Sequence, residues 1–226
     1  YADISFESMW NNITGPWIWE NDEFHINQIY HPLQGAFYFN MGRSNGLSFY
    51  GSVLTNFTAS LIWEYLWEVQ EPSVNDMIFT NITGSYVGEI LHRTYKAIEE
   101  DNPVLAFFTN PQAGINRFLT GQKSPDVDGK ISYYTCYSGF NYIFSGLTND
   151  VINTNQSDFN KKAGGDLGVY YVYNNPYGHN TKEPLDQFEF EVRSIWSNDD
   201  VFFNIFSDGL LYSKSVNFSN PTTLGL

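Results

Sequence analysis

Cysteine is nearly missing from this chain. Cys136 stands alone, so no intrachain disulfide and no cysteine-based metal site can form. Basic residues are scarce as well: 11 Lys and Arg against 25 Asp and Glu leave a net charge of −14. That balance excludes nucleic acid as a partner, because a row of phosphates would find nothing to neutralise it. It also disfavours electrostatic docking on an anionic membrane surface. No apolar run reaches the ~18–20 residues a membrane-spanning helix requires, so a membrane role calls for a β-barrel or attachment to one. The chain opens at Tyr1 without a basic n-region or an apolar h-region, which reads as a mature or trimmed product; for an exported protein the signal peptide is then not in this chain.

Aromatic residues, by contrast, supply 18% of the chain. Such a mix suits strands that face water on one side and an apolar layer on the other, with rings at the boundary. An aromatic-rich secreted β protein would have the same composition. With 226 residues the chain can bury a real core as one large domain or two small ones.

Residues 1–24 mix Trp10, Trp17 and Trp19 with Gly15-Pro16 and the acidic cluster Glu20, Asp22 and Glu23, and read as a short element and a turn. Three helices are expected next. The first starts at Pro32, with His31 at its head, and carries Gly35, Tyr38 and Gly42 on one stripe to about Gly42. The second follows the Arg43–Gly46 turn from Ser48 to Glu71, where Pro72 stops it. It is apolar around most of its girth, with Ser60, Glu64, Glu68 and Glu71 in line, which predicts a helix surrounded by protein. The third has Ser73 as N-cap and Asp76 in its first turn, and runs to about Glu99. Gly84 and Gly88 on it form a G-x-x-x-G pair suited to close helix contact, and Glu89 and Arg93 are spaced as an ordinary surface pair.

From Pro103 the apolar period changes to that of strands: Val104–Thr109, Lys130–Phe144, Asp166–Tyr173, Asp186–Trp196 and Val201–Ser213. The fourth alternates most cleanly, with Phe188, Phe190, Val192 and Trp196 on one face and Gln187, Glu189, Glu191 and Arg193 on the other. A membrane barrel needs that pattern, and a two-sheet sandwich would give it too. Five strands do not close a barrel, whose smallest single-chain forms need about eight. Further strands, from a longer chain or from elsewhere, are therefore expected.

Asn27, His31-Pro32-x-x-Gly35, Tyr38, Arg43, Trp63-Glu64, Glu68, Pro72-Ser73-x-Asn75-Asp76 and Gly84-x-x-x-Gly88-Glu89 come in order, followed by Asn110-Pro111, Asn116-Arg117 and Gly121. Together they resemble a bacterial family of unknown function whose members are thought to be outer-membrane proteins of Gram-negative and spirochaete-like bacteria. The resemblance covers residues 10–121 and implies a place and an architecture rather than a reaction. The expected fold is α+β. A helical segment (residues 1–102) plugs or abuts a barrel, and residues 103–226 supply long antiparallel strands of an outer-membrane β-barrel.

The polar residues of the first segment admit three readings. As a structural network, His25, Asn27, His31, Arg43, Glu64, Glu68 and Asp76 fix the helices against each other, Glu64 lying beside His31 and Arg43 serving an acid such as Asp76. Gly35, Gly42, Gly84 and Gly88 would mediate the packing. As an enzyme site, His31, Glu64, Glu68, Arg43 and Tyr38 are the catalytic candidates, a His–Glu pair acting as base and orienting acid. Its nucleophile would be Ser44, Ser48 or Ser60, none of which sits in a G-x-S-x-G elbow. As a metal site, Glu64, Glu68 and the Glu89-x-x-His92 pair are a partial match to a carboxylate-bridged di-iron centre, which needs two such pairs.

His179 reads as an exposed loop residue, and the N-x-[ST] triplets as chance. The first expectation is thus a structural or accessory component of an envelope assembly, without cofactor, whose partners are outer-membrane lipid, other envelope proteins or further barrel strands. An outer-membrane enzyme acting on lipid or envelope material, and a soluble periplasmic β protein with a helical head, are the alternatives.

Overall fold

A computed structural model describes residues 3–145, 160–175, 180–197, 201–217 and 221–225; His179 lies outside them. The chain is α+β and divides into two units: Tyr1–Gly129 with Glu183–Leu185, and Lys130–Lys182 with Asp186–Leu226.

The first unit is helical. Helix α1 (Phe6–Thr14) starts from Ser5, whose side chain accepts from the Ser8 backbone in a capping box. A π-turn over Ile26–Tyr30 leads into α2 (His31–Ser44). Helix α3 (Phe49–Ile62), capped by Ser48, ends in a second π-turn, Trp63–Trp67. Helix α4 (Val74–Ile78), capped by Ser73, joins α5 (Gly84–Ile98) through a third, Phe79–Thr83. Two helices follow, α6 (Pro103–Thr109) and α7 (Pro111–Thr120).

Three corrections follow for the expected layout. Val104–Thr109 is a helix, not a strand. Asn102 and Asn110 each accept from a backbone N–H three residues on, and each precedes a proline at the first helical position, which is a start signal that outweighs apolar content. The helices therefore extend to Thr120, and the described residues hold seven α-helices rather than about three. Third, α3 is not surrounded by protein: Tyr50, Leu54, Phe57 and Ile62 are exposed, while the buried stripe is Ser52, Asn56, Ser60 and Glu64.

Helices α2 and α5 cross at glycines. A Cβ on Gly35 would stand 1.8 Å from the Thr80 carbonyl oxygen, and one on Gly84 would stand 2.6 Å from Gly35 Cα. Farther along, Gly88 lies against the Phe39 ring, and Gly42 of α2 lies against Ser52 of α3. Backbones this close leave room for few side chains, so the apolar core is small: Ala36, Phe39, Ile90 and Tyr95 are its buried helical members, with Ala106 and Ala113 beyond. Polar contacts fill the remainder. Asn56, for example, donates to the Thr80 carbonyl (2.9 Å) and to Ser85 Oγ (3.0 Å).

The second unit carries an antiparallel meander of β1 (Ile131–Ser145), β2 (Asn160–Tyr173), β3 (Phe188–Ser197) and β4 (Val201–Gly209), and a separate pair, β5 (Ser213–Asn217) and β6 (Pro221–Gly225). The four-stranded sheet is open. Its register aligns Phe140, Gly165, Trp196 and Val201 across one face, and Cys136, Val169, Val192 and Ile205 along it. The opposite face carries Arg193 paired with Asp166 (2.9 Å), a Tyr170–Glu189 hydrogen bond (2.8 Å) and a Tyr137–Glu191 contact. Strand β4 is apolar on both faces, since Phe202 and Phe206 lie on the polar side.

The α2–α5 crossing yields a first prediction. Gly35→Ala forces two backbones apart and should cost about 3 kcal/mol, the upper end of ordinary overpacking. Equilibrium unfolding in denaturant measures it, and a wild-type midpoint would contradict the crossing.

Candidate functional site

Besides buried Glu99, held by Lys96 and Arg117, two ionisable clusters occupy the helical unit, and the three π-turns border the first. Such turns interrupt regular helical register and recur at functional sites. Here His31 follows one, Glu64 lies within the second, and Thr80 lies within the third. A short parallel bridge between Ile18 and Ser73 lays residues 18–22 beside the head of α4, and the Glu20 N–H donates to Asn75 Oδ1 (2.8 Å).

These elements gather Glu20, Asp22, His31, Glu64, Glu68 and Asp76. His31 Nε2 is 3.4 Å from Asp76 Oδ1 and 4.0 Å from Asp22 Oδ2, while its Nδ1 is 3.4 Å from Thr80 Oγ1. Asp76 is held by Asn75 Nδ2 (3.0 Å), and Asn75 also donates to Asn27 Oδ1 (3.1 Å). Glu64 Oε2 accepts from the Ser73 N–H (2.8 Å), and Asn12 of α1 donates to the carbonyls of Glu64 (3.1 Å) and Glu68 (2.8 Å).

Five carboxyl groups thus share a confined space. Among the described residues no Lys or Arg pairs with any of them, and His31 is the one basic partner. The electrostatics follow. Burial lifts Glu64 to about 7, aided by Asp76 and Glu20 and opposed by the Ser73 N–H. Burial, then repulsion from Glu64, Asp76, Glu20 and Asp22, lifts Glu68 to about 8. Glu20 and Asp76 are raised by burial as well, although His31 pulls Asp76 back down.

The second cluster is balanced. Glu89, fully buried on α5, receives Arg43 Nη2 (2.8 Å) and Arg93 Nε (2.6 Å). Both arginines reach Glu183 Oε2 as well, at 3.0 and 3.4 Å. Beside Glu183, Leu185 is fully buried with φ at 61°, a left-handed conformation that costs an L-residue roughly 1–2 kcal/mol. Burial of the leucine offsets that strain. His92 is held neutral by burial and by Arg43, Arg93 and Lys96 around it, and its Nδ1 lies 3.2 Å from Asn110 Nδ2. Asn110 donates in turn to Asn40 (3.2 Å) while capping α7.

The residues singled out in the sequence are therefore divided between the two clusters. His31, Glu64, Glu68, Asp76 and Asn27 belong to the first. Arg43 belongs to the second and pairs with Glu89, not with Asp76. Glu64 reaches the Ser73 backbone, and the acids on His31 are Asp76 and Asp22. Glu89 and Arg93 form a buried pair rather than a surface one. Glu89 and His92 sit among arginines, so the di-iron arrangement with Glu64 and Glu68 is not assembled. Tyr38 is half-buried and accepts from Gln34 (3.0 Å), and His25 is an exposed residue beside Glu23. The three serines have structural partners: Ser44 donates to Asn110, Ser48 caps α3 and Ser60 lies on Met77 Sδ. Glu20, Asp22, Thr80, Asn110 and Glu183 are the members that sequence reasoning missed. An acidic run beside a helix cap, in a chain with almost no lysine nearby, was the available signal for the first two.

Fold and site define an α+β protein whose helical unit encloses one acidic histidine cluster and one neutralised arginine cluster. Residues 16–114 match the family model described as a domain of unknown function (DUF3943). The matched stretch takes in the first cluster whole and the second from Arg43 to Asn110. No curated protein and no solved structure matches the chain.

Removing Glu89 would take from two buried guanidinium groups the buried carboxylate they share, leaving half-exposed Glu183 to face both. Glu89→Ala should therefore cost about 3–5 kcal/mol, read from denaturant unfolding; a loss under ~1 kcal/mol would mean the pair behaves as a surface one. The first cluster predicts a pH dependence. Glu64 and Glu68 titrate above their unfolded values, so their stabilising contribution is complete below about pH 4 and is lost as pH climbs through about 7 and about 8. In metal-free buffer the melting temperature should rise on acidification across that window, and Glu68→Gln should flatten the rise. A wild-type profile with the opposite slope, unchanged by Glu68→Gln, would contradict this assignment.

Proposed function

We propose that this is an outer-membrane protein whose helical unit and long strands both face lipid, and whose role is that of a structural or accessory envelope component built around the acidic histidine cluster. One observation carries the reading: between Phe24 and Tyr95 the helical unit turns most of its charged residues inward and many large apolar side chains outward. Between Phe24 and Tyr95 the chain has seven Asp, Glu, Lys and Arg residues. Arg43, Glu64, Asp76, Glu89 and Arg93 are buried, Glu68 is half-buried, and only Glu71 is exposed. Over the same stretch Leu33, Phe37, Tyr50, Leu54, Phe57, Trp63, Trp67 and Ile82 are exposed.

Water is a poor solvent for such a surface. Each large apolar side chain moved from water to acyl chains gains about 1.5–3 kcal/mol. A polar, water-filled lumen is no better, so lipid contact replaces the lumenal plug as the setting for these helices. Among the described residues no helix is long and apolar enough to cross a membrane, so the helices would lie at acyl depth as short segments. The sheet supports the same solvent. Its strands are 9 to 15 residues long, against about 9–11 for a tilted membrane strand. Exposed Tyr134, Phe140, Phe203 and Ile205 lie on its apolar face, opposite the Asp166–Arg193 and Tyr170–Glu189 pairs. Further strands would complete a barrel.

Trp10, Trp19, Trp63 and Trp67 are exposed and serve as reporters. In vesicles of phosphatidylcholine with brominated acyl chains their fluorescence should be strongly quenched relative to unbrominated vesicles, and the protein should require detergent to stay dispersed. A monodisperse, unquenched, detergent-free protein would sink the lipid reading and leave the soluble periplasmic one.

A further inference from the structure

The acidic histidine cluster has the donor set and spacing of a cation site. We propose that Asp22, His31 and Asp76 are the protein ligands of one divalent first-row transition cation of the Mn²⁺, Fe²⁺ or Zn²⁺ type, with Glu20 beside them as a further oxygen donor. The inference is independent of lipid contact, because the ligands lie inside the helical unit.

Geometry comes first. One atom from each of the three residues lies within 4.8 Å of the other two, and the His31 nitrogen stands 3.4 and 4.0 Å from the two carboxylate oxygens. Two ligands at ~2.0–2.2 Å from a common ion are separated by roughly 3–4.2 Å, from right-angled to opposed. Both separations fall in that interval. The ligands come from three separate segments: the loop before the first π-turn, the head of α2, and the first turn of α4. Contacts around them hold two of the three in place: Asn75 on Asp76, and Thr80 on the far nitrogen of His31.

The imidazole supplies a second, independent observation. Its Nε2 is buried and makes no hydrogen bond, even to the Asp76 oxygen 3.4 Å away. If Nδ1–H donates to Thr80 Oγ1 and Nε2 carries no proton, the Nε2 lone pair faces two carboxylates, an arrangement whose repulsion a proton or a cation between them relieves. A hydrogen bond from the second ring nitrogen is also how metal-bound histidines are usually oriented.

The donor chemistry narrows the ion. A nitrogen ligand is out of place for Ca²⁺ and Mg²⁺, which take oxygen, and the absence of thiolate or thioether ligands disfavours Cu⁺. One imidazole with carboxylates suits Mn²⁺, Fe²⁺ and Zn²⁺. Charge agrees, since a dication offsets two of the carboxylates that no Lys or Arg pairs with among the described residues.

The test uses the full chain in detergent, stripped with chelator and titrated with Mn²⁺. Electron paramagnetic resonance should report one bound ion, displaceable by Zn²⁺, and spin-echo modulation should show one directly coordinated ¹⁴N. Asp76→Asn should weaken binding at least ~100-fold, and Thr80→Ala, which loosens the imidazole, about 10-fold. His31→Ala should lose the nitrogen coupling, while His25→Ala, at the exposed histidine, should keep it. A Mn²⁺-saturated wild type without nitrogen coupling overturns the proposal, and needs no variant to fold. Wild-type affinity in Asp76→Asn, or coupling abolished by His25→Ala, overturns it equally. Bromolipid quenching plays no part in these readouts, so the two readings fail separately.

Discussion

A charge taken out of water must find a partner, and the helical unit is built around that constraint. Burying a lone ionised carboxylate or guanidinium costs several kcal/mol even after relaxation. This unit buries Arg43, Arg93, Glu89, Glu64 and Asp76, and its helices are arranged to meet the bill. Arg43 comes from α2, Glu89 and Arg93 from α5, and Glu183 from far along the chain, so their pairing requires α2 and α5 to lie close. The glycines at the crossing make that approach possible: a single Cβ at Gly35 would collide with the backbone at Thr80.

The two clusters solve the problem differently. In the arginine cluster two guanidinium groups face two carboxylates, and the account closes within the protein. In the histidine cluster five carboxyl groups face one imidazole, and it does not. Protonation is one response, visible in the raised positions of Glu64 and Glu68. A cation is the other. Three π-turns border the second kind of cluster, each displacing helical register where a regular helix would have aimed side chains elsewhere. Register broken in this way suits a binding site more than packing alone.

The outer surface follows from the same inversion. Once polar stripes such as Ser52, Asn56, Ser60 and Glu64 point inward, the apolar positions of α3 have only the exterior left. A soluble helix shows the reverse. The meander sheet likewise separates an apolar face from a face of ion pairs, and the two exteriors are the basis of the proposal that both units face lipid.

Much of this was legible in local pattern, for identifiable reasons. Ser73 followed by Asp76 marks a helix start wherever it occurs, because the cap acts within four residues. Alternation along Asp186–Trp196 marks a two-faced strand, because side chains on a strand alternate whatever lies nearby. Gly35, Gly84 and Gly88 at helical spacing indicate close backbones, because only glycine permits them. Helices α6 and α7 were legible in principle from Asn102-Pro103 and Asn110-Pro111, although apolar content drew the reading of Val104–Thr109 toward strand. Periodicity shows that α3 has a polar stripe, yet it cannot say whether the stripe faces in or out, since that depends on what surrounds the helix. Nor could spacing pair Arg43 with Glu89 rather than Asp76, or bring Asp22 and Asp76 to His31. Those choices join residues some ten to 140 positions apart, and only the folded path of the chain, with its π-turns and the bridge from Ile18 to Ser73, decides which acid meets which base.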